Sequence, residues 1–194
     1  MGKTLYLMRH GQTLFNVRRK IQGWCDAPLT VLGENQTRIA GEYFIKNNIV
    51  FDHAYASTSE RACDTLELAT QGKIAYTRVK GLKEWNFGIY EGESDDLDPP
   101  FPFGNFFKKF GGESENEVSE RVSTTVLELM KNTDQETVLI VSHGLSCYCF
   151  AKRWEQNQQV SLPNDMPNCV VLKYQFNDEQ FSLVEVIDVT SELK

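Results

Sequence analysis

The sequence predicts an α/β fold, a three-layer α/β/α sandwich around a mostly parallel central sheet. Short apolar runs alternate with longer amphipathic stretches along most of the 194 residues, as in sheets built from strand–helix–strand units. Two of these runs, residues 5–8 and 137–141, are almost wholly apolar, as expected of strands that are buried on both faces. The length fits a single domain over residues 1–194.

The first half of the chain is predicted to alternate strands with helices. Thr30 is suited to cap the longest of these helices, because its hydroxyl can accept a hydrogen bond from the first turn. Arg61 is expected in the first turn of the following helix, just after a strand. The predicted elements are a strand at 5–8, a short helix at 13–17, a helix at 31–46, a strand at 51–56, a helix that ends near 70 and an edge strand at 74–79.

A long segment without strands is predicted at residues 93–117. It contains two adjacent prolines, several aromatic residues and Gly111-Gly112, and we expect one short helix in it, near residues 105–110. Segments of this length are often lids or specificity loops, so we expect that role here, within the same domain. The elements predicted after it are a helix at 119–131, a strand at 137–141, a helix at 145–154 and a hairpin of strands at 170–176 and 181–189 that closes one sheet edge.

The composition argues against several functional classes. The net charge of −7 and the pI near 5.1 do not suit a nucleic-acid-binding surface, and no apolar run approaches the roughly 20 residues that cross a membrane. The five cysteines have no Cys-x-x-Cys spacing, so we expect reduced thiols and no metal site. Residues 1–4 contain no apolar signal core. We therefore expect a cytoplasmic protein, and the sequence leaves its oligomeric state open.

The residues suited to catalysis begin at the end of the first strand, with Arg9-His10-Gly11. Ligands of open α/β sheets bind just beyond the carboxyl ends of strands. Arg9 offers a permanently charged, two-pronged donor to an anion, and His10 offers a nucleophile or a proton carrier near neutral pH. Gly11 is expected to let a ligand approach the backbone. Because an Arg-His-Gly tripeptide also arises by chance, this phosphate-site hypothesis depends on partners elsewhere in the chain.

Three further segments supply such partners. The strand at 137–141 ends in Ser142-His143-Gly144, so we expect a second imidazole beside His10 at the same sheet edge. Arg61 follows another strand and offers a second guanidinium group. Glu84 lies among apolar and aromatic residues, which favours a protonated carboxyl and hence a proton donor. The alternative for Arg61 and Glu84 is an ordinary solvent-facing side chain.

Taken in order, these residues and several others resemble the motifs of the histidine phosphatase superfamily, which contains cofactor-dependent phosphoglycerate mutases and many phosphatases. The resemblance spans most of the chain. The matching residues are Arg9-His10-Gly11 with Thr13 and Asn16; Gly23-Trp24 and Asp26-x-Pro28-Leu29-Thr30 with Gly33 and Gln36; Ser57 with Arg61-Ala62; Glu84 with Phe87-Gly88 and Glu91-Gly92; and Ser142-His143-Gly144.

The resemblance implies a reaction and a role for each residue. His10 would attack phosphorus and become a phosphohistidine, with its other ring nitrogen donating to a backbone carbonyl, and Glu84 would protonate the leaving oxygen. No metal and no cofactor is implied, because side chains supply the positive charge around a small phosphorylated substrate. The implied residues are His10, Glu84 and His143 for catalysis; Arg9, Asn16, Arg61, His143 and Gly144 for phosphate binding; and Gln22 and Gly23 as candidate substrate contacts.

We expect a phosphomonoester hydrolase that acts on small phosphorylated metabolites. The main alternative is a phosphoglycerate mutase, which returns the phosphoryl group to a bound acid. The segment after Glu84 is acidic, and its only basic residues are Lys108 and Lys109, which is a poor match to a substrate that also carries a carboxylate. A binding or regulatory protein without activity is less favoured, because the nucleophile, the acid and both arginines are present.

Overall fold

The computed structural model describes residues 2–132, 134–163 and 165–190. Residues 1, 133, 164 and 191–194 of the predicted 1–194 domain lie outside the described residues. The strands of the described chain are β1 Lys3–Arg9, β2 His53–Ser57, β3 Tyr76–Val79, β4 Thr137–Ser142, β5 Val171–Asn177 and β6 Gln180–Ile187.

These strands form one sheet in the order β3-β2-β4-β1-β5-β6. The pairs β1–β4, β4–β2 and β2–β3 are parallel. Strand β5 is antiparallel to β1, and β6 is antiparallel to β5. The mostly parallel sheet, the edge position of β3 and the C-terminal hairpin are therefore confirmed. Because β1 and β4 are neighbours, the segments that follow them leave the sheet side by side.

Helices cover both faces of the sheet. They are α1 Leu14–Val17, α2 Val31–Lys46, α3 Glu60–Ala69, α4 Glu115–Asn132 and α5 Gly144–Arg153. The α2–α3 pair packs on one face and the α4–α5 pair on the other, each with its own cluster of buried apolar residues. The predicted three-layer sandwich is confirmed.

The central strand β1 supplies both apolar clusters. Leu5 and Leu7 point into the α4–α5 side, while Tyr6 and Met8 point into the α2–α3 side. All four side chains are buried, and burial of each such side chain contributes roughly 1.5–3 kcal/mol. The strand that carries Arg9 is therefore packed from both sides and is a rigid support for a site.

Two helix starts explain how the chain turns after β1. The Thr13 hydroxyl accepts from Asn16 N and the Asn16 side chain accepts from Thr13 N, which caps α1 reciprocally. Thr30 accepts from Gly33 N at the start of α2, as predicted. Both contacts are short-range, so they could be predicted from local sequence.

Helix α4 begins at Glu115, four residues before the predicted start, so the 93–117 segment is shorter than predicted. The cause is a second reciprocal cap: Glu117 N donates to Ser114 Oγ at 3.3 Å and Ser114 N donates to Glu117 Oε2 at 2.9 Å. The Ser-x-x-Glu spacing that signals such a cap is present in the sequence. The prediction missed it because the apolar periodicity begins only at Val118.

The segment between Glu84 and α4 is anchored by aromatic packing. Its short helical turns are Gly88–Tyr90, Asp95–Leu97 and Phe107–Phe110, and the last lies within the range predicted for a short helix. Phe107 is fully buried, with its ring 6.4 Å from Trp85 and 4.8 Å from Phe87 between centroids. Within the described residues, no helix combines the length and apolar character that crossing a membrane requires.

Candidate active site

The two predicted imidazoles meet at the carboxyl ends of β1 and β4. Arg9 pairs with Ser142 in the parallel register, so His10 and His143 follow at the same level. Their ring centroids are 5.3 Å apart, and both side chains are buried. The expectation that the strands ending in these histidines are neighbours is confirmed.

The hydrogen bonding of His10 defines its tautomer. Nδ1 lies 2.8 Å from the carbonyl oxygen of Gly11, and a carbonyl can only accept, so Nδ1 carries the proton. Burial, together with the positive charges of Arg61 and Arg9, holds the pKa of His10 well below its usual range. The ring is therefore neutral near pH 7, and its Nε2 has a free lone pair.

His143 is also a neutral ring that offers one donor. Its Nε2 lies 2.8 Å from Ser57 Oγ, which itself accepts from Ser59 N. In the tautomer with the ring proton on Nδ1, the Ser57 hydroxyl donates to Nε2 and Nδ1 is the donor that faces a ligand. Burial, followed by the charge of Arg61, holds the pKa of His143 well below its usual range. Nδ1 has no hydrogen-bond partner among the described residues.

Arg61 is fully buried in the first turn of α3, as its position in the sequence predicted. Its Nη1 donates to the Cys25 carbonyl at 3.0 Å and to Asp26 Oδ1 at 2.8 Å, and its Nη2 donates to the Gly23 carbonyl at 2.9 Å. These contacts hold the guanidinium plane in one orientation and leave Nε without a partner among the described residues. The solvent-facing alternative for Arg61 is wrong.

Glu91 organises the loop that holds Arg61. Its carboxylate accepts from the backbone N–H groups of Gly23, Trp24, Cys25 and Phe87, at distances of 2.7 to 3.1 Å. With their N–H groups bound to Glu91, Gly23 and Cys25 present their carbonyls to Arg61. Sequence reasoning noted Glu91 only as part of a motif, because residues 23–25 are too distant along the chain to indicate this contact.

Gly23 supports the loop that holds Arg61. Its N–H donates to Glu91 and its carbonyl accepts from Arg61, and an added Cβ would lie 2.1 Å from the Trp85 carbonyl oxygen. The substrate contact expected at Gly23 stays a prediction. Gln22, the other candidate substrate contact, lines the cleft.

Asn16 is held so that its amide nitrogen remains available. Its Oδ1 accepts from Thr13 N at 3.0 Å and from Asn168 Nδ2 at 3.3 Å. The single proton of the Thr13 hydroxyl goes to Gln22 Oε1, the nearer acceptor at 2.7 Å. Asn168, which sequence reasoning missed, also donates to the His10 carbonyl at 3.1 Å, so it links the two residues.

Arg9 and Gly144 are neighbours in the wall of the cleft. Arg9 donates from Nη1 to the Met166 carbonyl, and an added Cβ on Gly144 would lie 3.3 Å from Arg9 Nε. Gly144 is the first residue of α5, so its N–H has no acceptor within the helix. Both residues line the cleft.

Gly11 is required for packing and not for approach of a ligand. An added Cβ would lie 2.6 Å from the Gly33 carbonyl oxygen and 2.7 Å from Thr37 Oγ1, both on α2. The expectation that Gly11 clears space for a ligand is therefore wrong. The glycine allows helix α2 to lie against the turn that carries His10.

Glu84 is buried in a more polar environment than its sequence neighbours suggest. Among the described residues, its Oε1 accepts from Trp85 N and Ser146 N at 2.9 and 2.8 Å, and its Oε2 accepts from Leu145 N at 3.0 Å. The single proton of the Ser146 hydroxyl is shared between Oε1 at 3.0 Å and the Lys83 carbonyl at 2.9 Å. The aromatic neighbours Trp85 and Phe87 belong to the apolar cluster. The proton-donor hypothesis therefore rests on the remaining acceptor capacity of Oε2 and on the position of Glu84 in the wall of the cleft.

Arg121 holds the segment that leads to Glu84. Its Nε and Nη2 donate to the two oxygens of Glu113, both at 2.7 Å, and its Nη1 donates to the carbonyls of Gly81 and Lys83. Nη2 also donates to the Glu84 carbonyl at 3.2 Å. Nothing local in the sequence indicated this contact, because Arg121 lies 37 residues further along the chain.

Four buried nitrogen atoms of this region have no hydrogen-bond partner among the described residues. They are Arg9 Nε, Gln22 Nε2, Arg61 Nε and His143 Nδ1. Buried donors are nearly always satisfied in folded proteins, and two of these belong to guanidinium groups. A tetrahedral anion beside His10 would supply the acceptors and the negative charge that such donors lack.

The site opens into a cleft of about 410 Å³. Arg9, Asn16, Gln22, Glu84 and Gly144 contribute to its wall. We call the rest of the wall the outer part of the cleft; it includes the residues Lys20, Asp95, Asp98, Phe101, Phe103, Tyr148 and Asp165. Within the described part of the chain, no group of three or more His, Cys, Asp or Glu side chains is arranged to hold a metal ion.

The sequence matches a known family over almost its whole length. The profile of the histidine phosphatase superfamily (branch 1) matches residues 5–189. The probable phosphoglycerate mutase GpmB of Salmonella choleraesuis (strain SC-B67) is 28% identical over 166 residues, which cover 75% of this chain and 71% of that protein.

Solved structures share the fold. A phosphoglycerate mutase from Bacillus anthracis str. Sterne superposes with a TM-score of 0.84 at 26% identity, covering 97% of this chain and 94% of that chain. A variant of phosphoserine phosphatase from Entamoeba histolytica, solved with phosphoserine, superposes with a TM-score of 0.77 at 25% identity, covering 96% and 98%. The chain is thus similar both to a mutase and to a phosphatase.

Proposed function

The chain belongs to the histidine phosphatase superfamily, a group of phosphatases and phosphoglycerate mutases, and we propose that this protein is a metal-independent phosphomonoester hydrolase. Its substrates are small phosphorylated metabolites, and the reaction passes through a phosphohistidine on His10. The observation that carries the proposal is the set of unpartnered buried nitrogens on Arg9, Gln22, Arg61 and His143. Of these residues, Arg61 and Arg9 lower the pKa of His10 through their charge. The ring of His143 packs against the His10 ring.

In the first step, His10 Nε2 attacks phosphorus while the bond from phosphorus to the leaving oxygen breaks. Nδ1 keeps its proton in the contact with the Gly11 carbonyl, so the lone pair of Nε2 is available. Donors that are fixed before the reaction stabilise the charge on the transferring phosphoryl group. The proposed donors are Arg9, Asn16, Arg61, His143 and Gly144.

Glu84 supplies the proton to the leaving oxygen. Its Oε1 accepts from two backbone N–H groups and Oε2 from one, so we assign the proton to Oε2. In the second step Glu84 removes a proton from water, the water oxygen attacks phosphorus, and the phosphorus–nitrogen bond breaks. Inorganic phosphate leaves, and His10 and Glu84 return to their starting protonation states.

A phosphoglycerate mutase is the second candidate, because relatives of this chain carry that name. The outer cleft favours hydrolysis instead. Asp95, Asp98 and Asp165 line it, with Lys20 as the cation beyond the proposed phosphate donors. Lys108 forms an ion pair with Glu117 at 2.6 Å. Carboxylates at the mouth repel a substrate that carries both a phosphate and a carboxylate group.

A single assay separates the candidates, including an inactive binding protein. We expect release of inorganic phosphate from p-nitrophenyl phosphate, retained in the presence of EDTA. With 3-phosphoglycerate, we expect phosphate release to exceed formation of the 2-isomer. Faster isomerisation would establish the mutase, loss of activity with EDTA would require a metal, and inactivity toward every ester would favour a binding protein.

The proposal also covers the cellular compartment of the protein and the molecules that it binds. The five cysteines are all free thiols, which supports a reducing compartment such as the cytoplasm. A small phosphorylated molecule is the proposed partner, and neither nucleic acid nor a membrane has a part in the reaction.

A further inference from the structure

Three aromatic rings form part of the outer wall of the cleft. The Phe101 ring lies 5.2 Å from the Phe103 ring and 5.2 Å from the Tyr148 ring between centroids, with interplanar angles of 84° and 73°. All three residues line the cleft, and Phe101 remains 49% exposed. Phe101 and Phe103 come from the 93–117 segment, and Tyr148 comes from α5. The rings therefore form a partly open aromatic wall beside the proposed phosphate site.

Asp98 lies at the same cleft with an unsatisfied oxygen. Its Oδ1 is buried and has no hydrogen-bond partner among the described residues. Burial, followed by the charge of Asp95, raises the pKa of Asp98 to about 6, so the carboxylate remains ionised at pH 7.5. An ionised oxygen in this position is stabilised by a cation or a donor that comes from a ligand.

The other charges at the mouth leave an excess of negative charge. Asp95 forms an ion pair, with its Oδ1 3.0 Å from Arg19 Nη2, although this oxygen also lacks a hydrogen bond of good geometry among the described residues. Asp165 is exposed and adds another carboxylate to the same cleft, whereas Lys20 is the cation that lines this part of it. The inner end of the cleft is thus suited to an anion, and the outer end to a cation.

We propose that the substrates are phosphate monoesters of short alcohols that carry an ammonium group, with the phosphate beside His10 and the ammonium group between Asp98 and the rings of Phe101, Phe103 and Tyr148. This inference rests on the proposed function and names the substrate class of the same site. Aromatic faces attract cations, and alkylated ammonium groups in particular. The carboxylate adds a charge-assisted contact that a neutral group cannot make.

Two other leaving groups fit less well. A neutral apolar group would contact the rings but would leave the Asp98 oxygen without a partner and without water, which is unfavourable for a buried charge. An anionic group would be repelled by Asp98 and Asp165. The cation is the group that satisfies both the aromatic wall and the carboxylate.

The test compares esters that differ only in charge. Phosphocholine is paired with 3,3-dimethylbutyl phosphate, its neutral isostere, and phosphoethanolamine is paired with propyl phosphate. We expect wild-type kcat/KM at pH 7.5 to favour at least one cationic ester over its neutral partner by about tenfold or more, the magnitude of a partly desolvated cation–π contact. The preference is expected to fall by about fivefold or more in Asp98→Asn and also in Phe101→Leu, which keeps apolar bulk but removes the ring.

Asp96→Asn is the matched control, because Asp96 is exposed, pairs with Arg19 and does not line the cleft. We expect it to keep the wild-type preference. Neutral isosteres that react as fast as the cationic esters, while p-nitrophenyl phosphate is hydrolysed in a His10-dependent manner, would overturn this inference and leave the proposed hydrolase intact. An unchanged preference in both Asp98→Asn and Phe101→Leu would also overturn it. Failure to hydrolyse p-nitrophenyl phosphate would overturn the proposed function and this inference together.

Discussion

Burial beside two guanidinium groups keeps both imidazoles of the site uncharged. Desolvation by burial is the main cause, and the charges of Arg61 and Arg9 act in the same direction, so the pKa values of His10 and His143 are lowered. A neutral His10 is a nucleophile without prior loss of a proton. A neutral His143 donates through Nδ1 in the tautomer in which the Ser57 hydroxyl donates to Nε2.

His10→Ala is expected to lower hydrolysis of p-nitrophenyl phosphate by more than about a thousandfold, the usual effect of removing a covalent nucleophile. The third histidine, His53, lies on β2 near Thr77 and is not among the residues that line the cleft. His53→Ala is therefore the matched control and is expected to keep near wild-type turnover. The measurement is the steady-state rate of hydrolysis by both variants. Substantial activity in His10→Ala would show that His10 is not the nucleophile.

Glu84→Gln is expected to slow alkyl phosphates by about 10²–10⁴-fold, because their leaving oxygen needs a proton. p-Nitrophenyl phosphate has a good leaving group, so its phosphorylation step is expected to slow much less. Burst kinetics with both kinds of ester measure the step directly. An equal loss of rate on both esters would contradict the role of Glu84 as the acid. The control for loss of a negative charge is Glu93→Gln, because Glu93 is exposed and lies nine positions after Glu84 in the sequence.

At the scale of elements, the site depends on side-chain contacts that hold loops to one another and to helices α3 and α4. Glu91 holds residues 23–25, this loop holds Arg61, and Arg121 holds the backbone before Glu84. None of these contacts is a backbone hydrogen bond within a helix or a strand. Loops positioned by a rigid sheet are the common place for catalytic groups, and here partly buried carboxylates, the buried Arg61 and the partly buried Arg121 hold the loops in place.

Glu91→Gln is expected to destabilise the protein by about 2–4 kcal/mol, because the new amide nitrogen cannot accept the backbone N–H groups bound by the carboxylate. It is also expected to weaken binding of inorganic phosphate, since Arg61 loses its oriented carbonyl partners. Urea unfolding and phosphate titration measure the two effects. Glu93→Gln, two residues away and exposed, is expected to change neither, and a variant at Glu91 as stable as Glu93→Gln would refute the positioning role.

At the scale of the whole molecule, the buried neutral histidines link stability to pH. Their pKa values are lowered in the folded state, so the unfolded chain takes up protons as the pH falls through about 6.5 while the folded chain does not. The free energy of unfolding therefore decreases as the pH falls below about 6.5, by up to roughly 1.4 kcal/mol per pH unit for each such histidine. Asp98, whose pKa is raised to about 6, acts in the opposite direction.

His143→Gln isolates one of these contributions. Between pH 6.5 and 5.0, we expect the free energy of unfolding of the variant to fall less steeply than that of the wild type, by up to about 1.4 kcal/mol per pH unit. Asp98 is present in both proteins, so its effect cancels in the comparison. Urea unfolding in phosphate-free buffer measures both slopes, and parallel slopes would mean that His143 is already protonated in the folded protein.

Much of the fold could be predicted because its signals are local. The apolar run at residues 5–8, the Thr30 cap and the strand at 137–141 each depend on neighbours within a few residues. The order of motifs likewise indicated His10, Arg61, Glu84 and His143, which the structure brings to one site. The Ser114 cap was also local, and the prediction missed it by following apolar periodicity alone.

The sequence by itself determined the alternation of strands and helices, the identity of the candidate reactive residues and the sheet edge at which they meet. Only the tertiary structure decided their hydrogen-bond partners: Glu91 with residues 23–25, Asn168 with Asn16, and the packing reason for Gly11. It also decided that Asp98 and three aromatic rings share one cleft. The physical reason is that secondary structure and caps depend on interactions a few residues apart, whereas these contacts join segments up to 158 residues apart, whose meeting depends on how the layers pack.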